Sequence, residues 1–249
     1  MQEVSGWVGP APSSAPSSRG VPDAGRQVKT EERVLTRRPT PAAQAPARAE
    51  DSATRRTRRV AAHFPTGKTL GSWRVEDSSI PTATQNALTT LEWIGRKENL
   101  VVSGPSGTGK SHFTEGLAHA AIENDLRVAW FTLETLESTL ARTKIDGSMA
   151  KTVARICRAD LIVIDDVGLL PVAADAAEAF YRIIDAAYER RSIAVTSNIH
   201  PSGFDTIMPK TIATAGIDRL MHHAHFVQTQ GDSHRLAEAL AGRGVVPLT

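Results

Sequence analysis

The sequence predicts an α/β fold in which a parallel sheet is flanked by helices. Three observations support this. Apolar runs alternate with helical stretches from about residue 61 onward. The runs themselves are continuously apolar, which is typical of strands in a sheet covered on both faces. The third observation is the glycine-rich segment GPSGTGKS at 104–111, which joins an apolar run to a helical stretch and indicates a fold of the P-loop type.

Five apolar runs are predicted strands, and helices are predicted around them from apolar residues at helical spacing. The predicted strands cover residues 100–103, 126–133, 159–166, 192–198 and 223–229. The predicted helices cover residues 84–96, 110–124, 134–144 and 173–190.

The N-terminal part differs in composition from the rest. Residues 1–60 form a Pro/Ala/Arg-rich segment with eleven basic and six acidic residues, although the net charge of the whole chain is only +2. Such a segment buries too little apolar surface to offset its ordering entropy, so we expect a disordered tail over 1–60 and one domain over 61–249. The basic run RRTRR at 55–59 is either a solvated tail or a patch that contacts nucleic-acid phosphate.

Composition also excludes several classes of protein. No stretch approaches the roughly 18–20 apolar residues of a membrane helix, and the N-terminus lacks the features of a secretory signal. The single cysteine, Cys157, cannot form an intrachain disulfide or a multi-cysteine zinc site. We therefore expect a reduced thiol, a cytoplasmic location and no membrane partner.

The glycine-rich segment matches the pattern G-x-x-x-x-G-K-[ST]. Its glycines allow positive φ and a close approach to a ligand, so that successive N–H groups at a helix N-terminus can bind phosphate oxygens. Lys110 can reach the β- and γ-phosphates, and the Ser111 hydroxyl can ligate Mg²⁺. The predicted nucleotide-binding residues are Gly104, Pro105, Ser106, Gly107, Thr108, Gly109, Lys110, Ser111 and His112.

Three polar side chains follow predicted strands and complete the expected site. Asp165 ends a buried strand and is the expected Mg²⁺ partner together with Ser111. Asp166 can orient an attacking water or accept its proton, and Asn198 can hold that water against the γ-phosphate. The alternatives are a helix-capping, solvated pair of acids and a turn-forming asparagine.

The C-terminal region offers further candidates. Arg219 is either an arginine finger inserted into a neighbouring subunit or part of a surface ion pair. His222, His223 and His225 suggest a zinc site, but their spacing and the lack of a nearby cysteine favour packing or a hydrogen-bonded helix end. Arg235 is a candidate phosphate contact.

Several of these segments together resemble a known family. GPSGTGKSHFTEGLAHAAIENDLRV, ADLIVIDDVGLLP, YERRSIAVTSN and IDRLMHHAHFVQTQGDSHRL are similar to the IstB-like ATP-binding proteins. These are helper ATPases of bacterial insertion-sequence transposition and relatives of the DnaC helicase loaders. The resemblance covers about residues 61–240, and FPTGKTL at 64–70 and DRLMHHAH followed by GDSHRL are its most specific parts.

The resemblance implies an AAA+ fold, in which an extra strand lies between the P-loop strand and the strand bearing Asp165. The run at 126–133 is the expected additional strand. The resemblance also implies that Lys110 and Ser111 are the Walker A pair, with Asp165 and Asp166 as Walker B.

The same resemblance assigns the remaining candidates. Asn198 matches the sensor position and Arg219 the arginine finger. Arg235 lies in a GxSYR-like motif in which His234 replaces the usual aromatic residue. Residues 1–50 do not look like the helical N-terminal region of family members, and the sequence leaves open a divergent tail or a shifted reading frame.

The expected function is therefore an ATP- and Mg²⁺-dependent helper of transposition. It would assemble as a homo-oligomer on duplex DNA and recruit or activate a transposase. A DnaC-like helicase loader shares every core motif and is the alternative, with a helicase and single-stranded DNA as partners. A degenerate nucleotide-binding remnant is the third hypothesis.

Overall fold

The computed structural model describes residues 41–169 and 171–241, and within these ranges five parallel strands form one sheet. Each predicted strand is confirmed within a few residues. The strands are β1 (Asn99–Ser103), β2 (Val128–Thr132), β3 (Leu161–Val167), β4 (Ser192–Ser197) and β5 (Ala224–Gln228).

The sheet order β2-β3-β4-β1-β5 corrects one expectation about the additional strand. The strand between β1 and β3 is β4, since Val195 pairs with Val101 on one side and with Ile164 on the other. The run at 126–133 instead forms β2, which pairs with β3 at the edge of the sheet. Strand order depends on contacts between distant segments, which local hydrophobic patterns do not encode.

Nine α-helices lie in the described part of the chain, and none of them is long and apolar enough to cross a membrane. They are α1 (Pro41–Ala62), α2 (Thr82–Thr89), α3 (Glu92–Gly95), α4 (Lys110–Glu123), α5 (Leu133–Asp146), α6 (Met149–Ile156), α7 (Ala174–Ala187), α8 (Lys210–Met221) and α9 (His234–Leu240). The predicted helix over 84–96 is two helices, because Leu91 adopts a left-handed backbone conformation with φ 60° between them.

The sheet separates two apolar clusters. On β1, Val101 faces the cluster that includes Phe180 of α7, whereas Leu100 and Val102 face the cluster that includes Phe113 of α4. This alternation follows from the two-residue period of a strand. The structure therefore has three layers, with helices on both faces of the sheet, as its continuous apolar strands predict.

The prediction of a disordered tail over residues 1–60 is wrong for the last third of that segment. Residues 41–60 lie in α1, where the sequence analysis expects disorder, while residues 1–40 lie outside the described part of the chain. The domain accordingly begins near residue 41 rather than 61, and Ala62 at the end of α1 is fully buried. Alanine and arginine are strong helix formers, so a helix is compatible with this composition once it has a surface to pack against.

The basic run at the end of α1 contacts the turn after α4. Arg55 and Arg58 both form ion pairs with Asp125, at 3.3 Å in each case, and Arg58 also donates to the Asp125 carbonyl. Arg59 pairs with Glu123. Part of the basic charge of this run is therefore used to hold α1 against the domain.

Replacing Asp125 by asparagine is expected to speed tryptic cleavage after Arg55 and Arg58, because it removes the carboxylate that both arginines share. Asparagine tolerates the left-handed backbone at this position (φ 62°), so the turn is kept. Thermal stability should change little, since exposed ion pairs contribute little. Limited proteolysis followed by mass spectrometry measures the rate. Glu92→Gln, which removes an exposed ion pair to Arg96, is the control, and equal cleavage in all three proteins would contradict the assignment.

Candidate functional site

A cavity of about 490 Å³ lies at the edge of the sheet where β1, β3 and β4 end. Carboxyl ends of parallel strands meet at one edge, and ligands of open α/β sheets bind there. Its walls include residues from the segment 65–78 (here called the strap), Ser106, Gly107, Gly109, Lys110, Ser111, His112, Glu115, Asp165, Asp166, Asn198, His234, Arg235 and Glu238.

Most of the predicted nucleotide-binding residues line this cavity, but three do not. Gly104, Pro105 and Thr108 are absent from its walls. The buried Thr108 hydroxyl donates to the Pro105 carbonyl at 2.8 Å and lies 2.7 Å from the Thr229 hydroxyl. Thr108 therefore fixes the shape of the loop from behind.

The glycines of the loop occupy backbone conformations that other residues rarely adopt. Gly107 has φ 85° and Gly109 has φ 91°. A Cβ atom on Gly107 would collide with Ser233, and one on Gly109 would lie 2.9 Å from the Trp73 ring. The loop can therefore turn tightly only because its glycines lack side chains, and a tight turn of this kind can direct successive N–H groups at a phosphate.

Lys110 is the first residue of α4 and is only 4% exposed. Its ammonium donates hydrogen bonds to the carbonyls of Gly104 and Pro105 at 2.8 Å and to Oδ1 of Asn198 at 2.9 Å. Burial lowers the pKa of Lys110, while the charges of the nearby acids oppose the shift. The ammonium is thus held at the centre of the loop, between the P-loop and the end of β4.

Asp165 is buried at the end of β3 and accepts hydrogen bonds at Oδ1 from two hydroxyl groups. Ser111 donates at 2.8 Å, and Thr196 of β4 donates as well. Burial raises the pKa of Asp165, against the effect of these hydrogen bonds. The hydroxyl and carboxylate oxygens are the hard ligands that Mg²⁺ prefers, and a dication here would offset the cost of burying the carboxylate. The residues present therefore fit a magnesium ion.

Asp166 and Asn198 face the same cavity from neighbouring strands. The register between β3 and β4 shifts between Ile164 and Val167. Within this shift, the backbone of Asp166 is in the left-handed conformation (φ 59°) and the residue is exposed. Such an irregularity changes the direction of a side chain, and here Asp166 lines the cavity. Nδ2 of Asn198 is buried without a hydrogen-bond partner among the described residues, although Oδ1 accepts from Lys110. An unpaired buried donor at this point is suited to a phosphate oxygen or a water.

The start of α9 forms the opposite wall. The backbone N–H of His234 donates to the Gly107 carbonyl at 3.1 Å, and Arg235 donates to the Ser106 hydroxyl at 3.3 Å. Arg235 therefore lies beside the P-loop of its own chain, and its role as a phosphate contact stays a prediction.

Arg219 is not part of this cavity. It forms an ion pair with Asp185 at 3.1 Å, donates to the Ala215 carbonyl, and lies 5.5 Å from the centroid of the Tyr181 ring. A single chain therefore does not bring Arg219 to its own P-loop. Its role as an arginine finger stays a prediction that requires a second subunit.

His222, His223 and His225 do not share one set of partners in the described structure. His225 lies 2.7 Å from a carboxylate oxygen of Glu98, whereas His222 lies 2.8 Å from the Tyr188 hydroxyl. His225 therefore has a different partner from His222, and both contacts agree with the favoured interpretation of hydrogen-bonded side chains.

Sequence reasoning missed the strap, which covers the side of the cavity beyond the P-loop. Glu115 of α4 is 1% exposed and accepts hydrogen bonds from the N–H groups of Thr66 and Gly67 and from the Thr66 hydroxyl, at 2.5–3.2 Å. Trp73 donates to the side chain of Gln85 at 2.7 Å. The segment FPTGKTL was the available signal, because it contains Thr66 and Gly67.

His112 connects the strap to the P-loop helix. Its Nε2 lies 3.0 Å from the Ser72 hydroxyl, and its ring packs edge-on against Trp73, with 5.1 Å between the ring centroids. Burial lowers the pKa of His112, which favours the neutral ring. His112 and Trp73 together form a partly apolar wall that is suited to the uncharged part of a nucleotide.

Comparison with known proteins gives this geometry a family context. Residues 44–241 match the sequence profile described as IstB-like ATP binding protein. The ATP-binding protein of insertion sequence IS21 from Pseudomonas aeruginosa is 32% identical over 61% of this chain and 57% of its own length. That of IS232 from Bacillus thuringiensis is 32% identical over 60% of each chain. The match thus spans less than two thirds of these relatives.

Two solved structures have a fold similar to that of this chain. AMPPCP-bound DnaA from Aquifex aeolicus is similar, with a TM-score of 0.55 and 19% identity over 72% of this chain and 56% of that one. DnaI has a TM-score of 0.54 and 15% identity over 68% of this chain and 91% of that one. At these identities the likeness shows the fold alone, which is the AAA+ type of P-loop fold expected from the sequence.

Proposed function

The chain belongs to the family of IstB-like ATP-binding proteins, and from this premise we propose that it is an ATPase that assists transposition. In this proposal it assembles on duplex DNA and recruits or activates a transposase there. The observation that carries the proposal is the cluster of Lys110, Ser111, Asp165 and Asn198 around one cavity at the P-loop.

ATP would bind with its phosphates in the P-loop. The loop N–H groups and the N-terminus of α4 provide positive potential for the phosphates. Lys110 would exchange its bonds to the loop carbonyls for bonds to phosphate oxygens, and Arg235 would add a second cation from α9. The base and ribose would lie toward the strap, beside Trp73 and His112.

Ser111 and Asp165 would hold Mg²⁺, which supplies charge neutralisation at the phosphate oxygens. Asp166 is exposed to the cavity and is suited to orient a water molecule and accept its proton. The unpaired Nδ2 of Asn198 is suited to hold either that water or a γ-phosphate oxygen. The two residues would thus align the attacking water with the bond that breaks.

Arg219 would act across a subunit interface. In one chain its guanidinium is held by Asp185 rather than by a phosphate. Insertion into a neighbouring site would supply the positive charge that phosphoryl transfer requires in its transition state. This predicts that hydrolysis depends on assembly.

The test is ATP hydrolysis by the full chain without DNA, with duplex DNA and with single-stranded DNA, each at two salt concentrations. We expect stimulation by duplex DNA that weakens steeply at the higher salt, because backbone phosphate contacts release counterions. Stimulation by single-stranded DNA alone would favour the helicase-loader alternative. ATP binding without stimulation by either DNA would indicate a nucleotide-binding remnant.

Replacing Arg219 by alanine is expected to lower the DNA-stimulated rate by at least about a hundredfold while ATP binding is kept. Asp185→Asn is the matched control, because it removes the same ion pair but keeps the arginine. A similar loss in both variants would mean that Arg219 acts only through the stability of α7 and α8. Turnover at increasing protein concentration, with an excess of duplex DNA, tests the dependence on assembly.

Replacing Glu115 by glutamine is expected to weaken ATP binding about tenfold, the loss typical of a charge-assisted hydrogen bond. The change removes the charge that holds Thr66 and Gly67 of the strap, but it leaves the contacts of Lys110 and Asp165 in place. The dissociation constant of a non-hydrolysable ATP analogue measures the effect. Glu123→Gln, on the exposed end of the same helix, should bind like the unchanged protein. Unaltered binding by Glu115→Gln would show that the strap does not contribute to the nucleotide site.

A further inference from the structure

Three side chains with metal-binding chemistry meet at a point away from the nucleotide cavity. Glu189 follows α7, and His222 and His223 follow α8. One ligand atom from each lies within 4.8 Å of the others, and all three residues are exposed. The histidine rings are 3.9 Å apart between centroids, and Nε2 of His223 lies 3.8 Å from Oε1 of Glu189.

We propose that Glu189, His222 and His223 form a binding site for one divalent transition-metal ion of the zinc class. Two imidazole nitrogens and one carboxylate oxygen are a ligand set that zinc accepts, with water in the remaining position. Mg²⁺ and Ca²⁺ prefer sites made only of oxygen ligands, so the composition of this site separates it from Ser111 and Asp165.

The surroundings of His222 support this assignment. Nδ1 of His222 lies 2.8 Å from the hydroxyl of Tyr188, which leaves Nε2 as the ring nitrogen that can bind a metal. In metal sites the second nitrogen of a ligating histidine is usually held in this way by an outer partner, which fixes the orientation of the ring. The neighbour of Tyr188 in the chain is Glu189, so one short segment provides both the ligand and the outer partner.

The site connects two helices that carry a further polar contact. The ion pair between Asp185 of α7 and Arg219 of α8 lies about one turn before the three ligands. A bound ion would join the ends of α7 and α8 at a second point. Because such an ion binds the folded chain, it should raise the melting temperature as its concentration rises.

The experiment uses the full chain stripped of metal, in an excess of Mg²⁺ that occupies the oxygen site, and titrates it with Zn²⁺ by calorimetry. Glu189→Gln and His223→Gln are the test variants. His225→Gln is the matched control, because His225 pairs with Glu98 outside the cluster. We expect one Zn²⁺ per chain and at least about a tenfold loss of affinity in both test variants, but not in the control.

A second measurement distinguishes loss of the zinc site from loss of folding. All three ligands are exposed, so circular dichroism and the melting temperature without metal should be the same in both test variants as in the unchanged chain. Added Zn²⁺ should raise the melting temperature of the unchanged chain and of His225→Gln only. Equal Zn²⁺ affinity in all four proteins, or no binding by the unchanged chain, would overturn the proposal.

Discussion

Replacing Lys110 by alanine is expected to reduce ATP hydrolysis by about a hundredfold to a thousandfold, the loss typical of removing one preorganised charge or donor from a transition state. The buried ammonium is bonded to the P-loop carbonyls and to Asn198, so its removal takes away the only lysine at the centre of the described site. Release of phosphate under single-turnover conditions measures the rate. Lys151→Ala, an exposed lysine on α6, is the control.

The same substitution should leave the fold intact. Burial lowers the pKa of Lys110, which means that the folded chain destabilises the charged form of this side chain. The folded protein therefore gains stability as pH rises between the lowered pKa and the ordinary value near 10.5, and Lys110→Ala should lack that gain. A large fall in melting temperature at neutral pH would show that the lost activity reflects unfolding rather than chemistry.

Replacing Gly104 by alanine is expected to destabilise the fold by about 3 kcal/mol, the upper range for overpacking a core, and to abolish nucleotide binding. A Cβ atom at this position would collide with the backbone carbonyl and the hydroxyl of Thr229, and backbone φ is 147°. A carbonyl fixed in the main chain cannot turn away as a flexible side chain could. The P-loop or the segment after β5 must therefore shift.

Chemical denaturation measures this loss, and Gly147→Ala separates its two causes. Gly147 also has positive φ, 68°, but no atom lies within 4 Å of the place where a Cβ would stand. Gly147→Ala should therefore lower the free energy of unfolding only by the cost of backbone strain, about 1 kcal/mol. Equal losses in the two variants would mean that backbone strain alone explains the effect at Gly104.

Local pattern was sufficient to locate the strands and the residues at the centre of the candidate site. Each strand is a short apolar run, and Asp165 and Asn198 come directly at or after the ends of β3 and β4. Because parallel strands end at one edge, the spacing of these residues along the chain predicts their meeting in space. The P-loop pattern then supplies Lys110 and Ser111 at the same edge.

The remaining features depend on contacts between distant segments. The place of β4 between β1 and β3 is set by pairing, and the polar stretch at the end of α1 lies against the turn after α4 through the contacts of Arg55 and Arg58 with Asp125. The strap has no hydrophobic period that predicts its contact with Glu115, although FPTGKTL marks the segment. Tertiary contacts override local propensity in each case.

The hydrogen bond from the backbone N–H of His234 to the Gly107 carbonyl couples the position of α9 to that of the P-loop. Leu236 and Leu240 lie one turn apart on this helix and are 59% and 81% exposed. If that bond is kept, a displacement of the loop around a phosphate should also displace the start of α9, which carries these leucines. We therefore expect the position of the exposed apolar surface formed by Leu236 and Leu240 to depend on whether the P-loop holds a nucleotide.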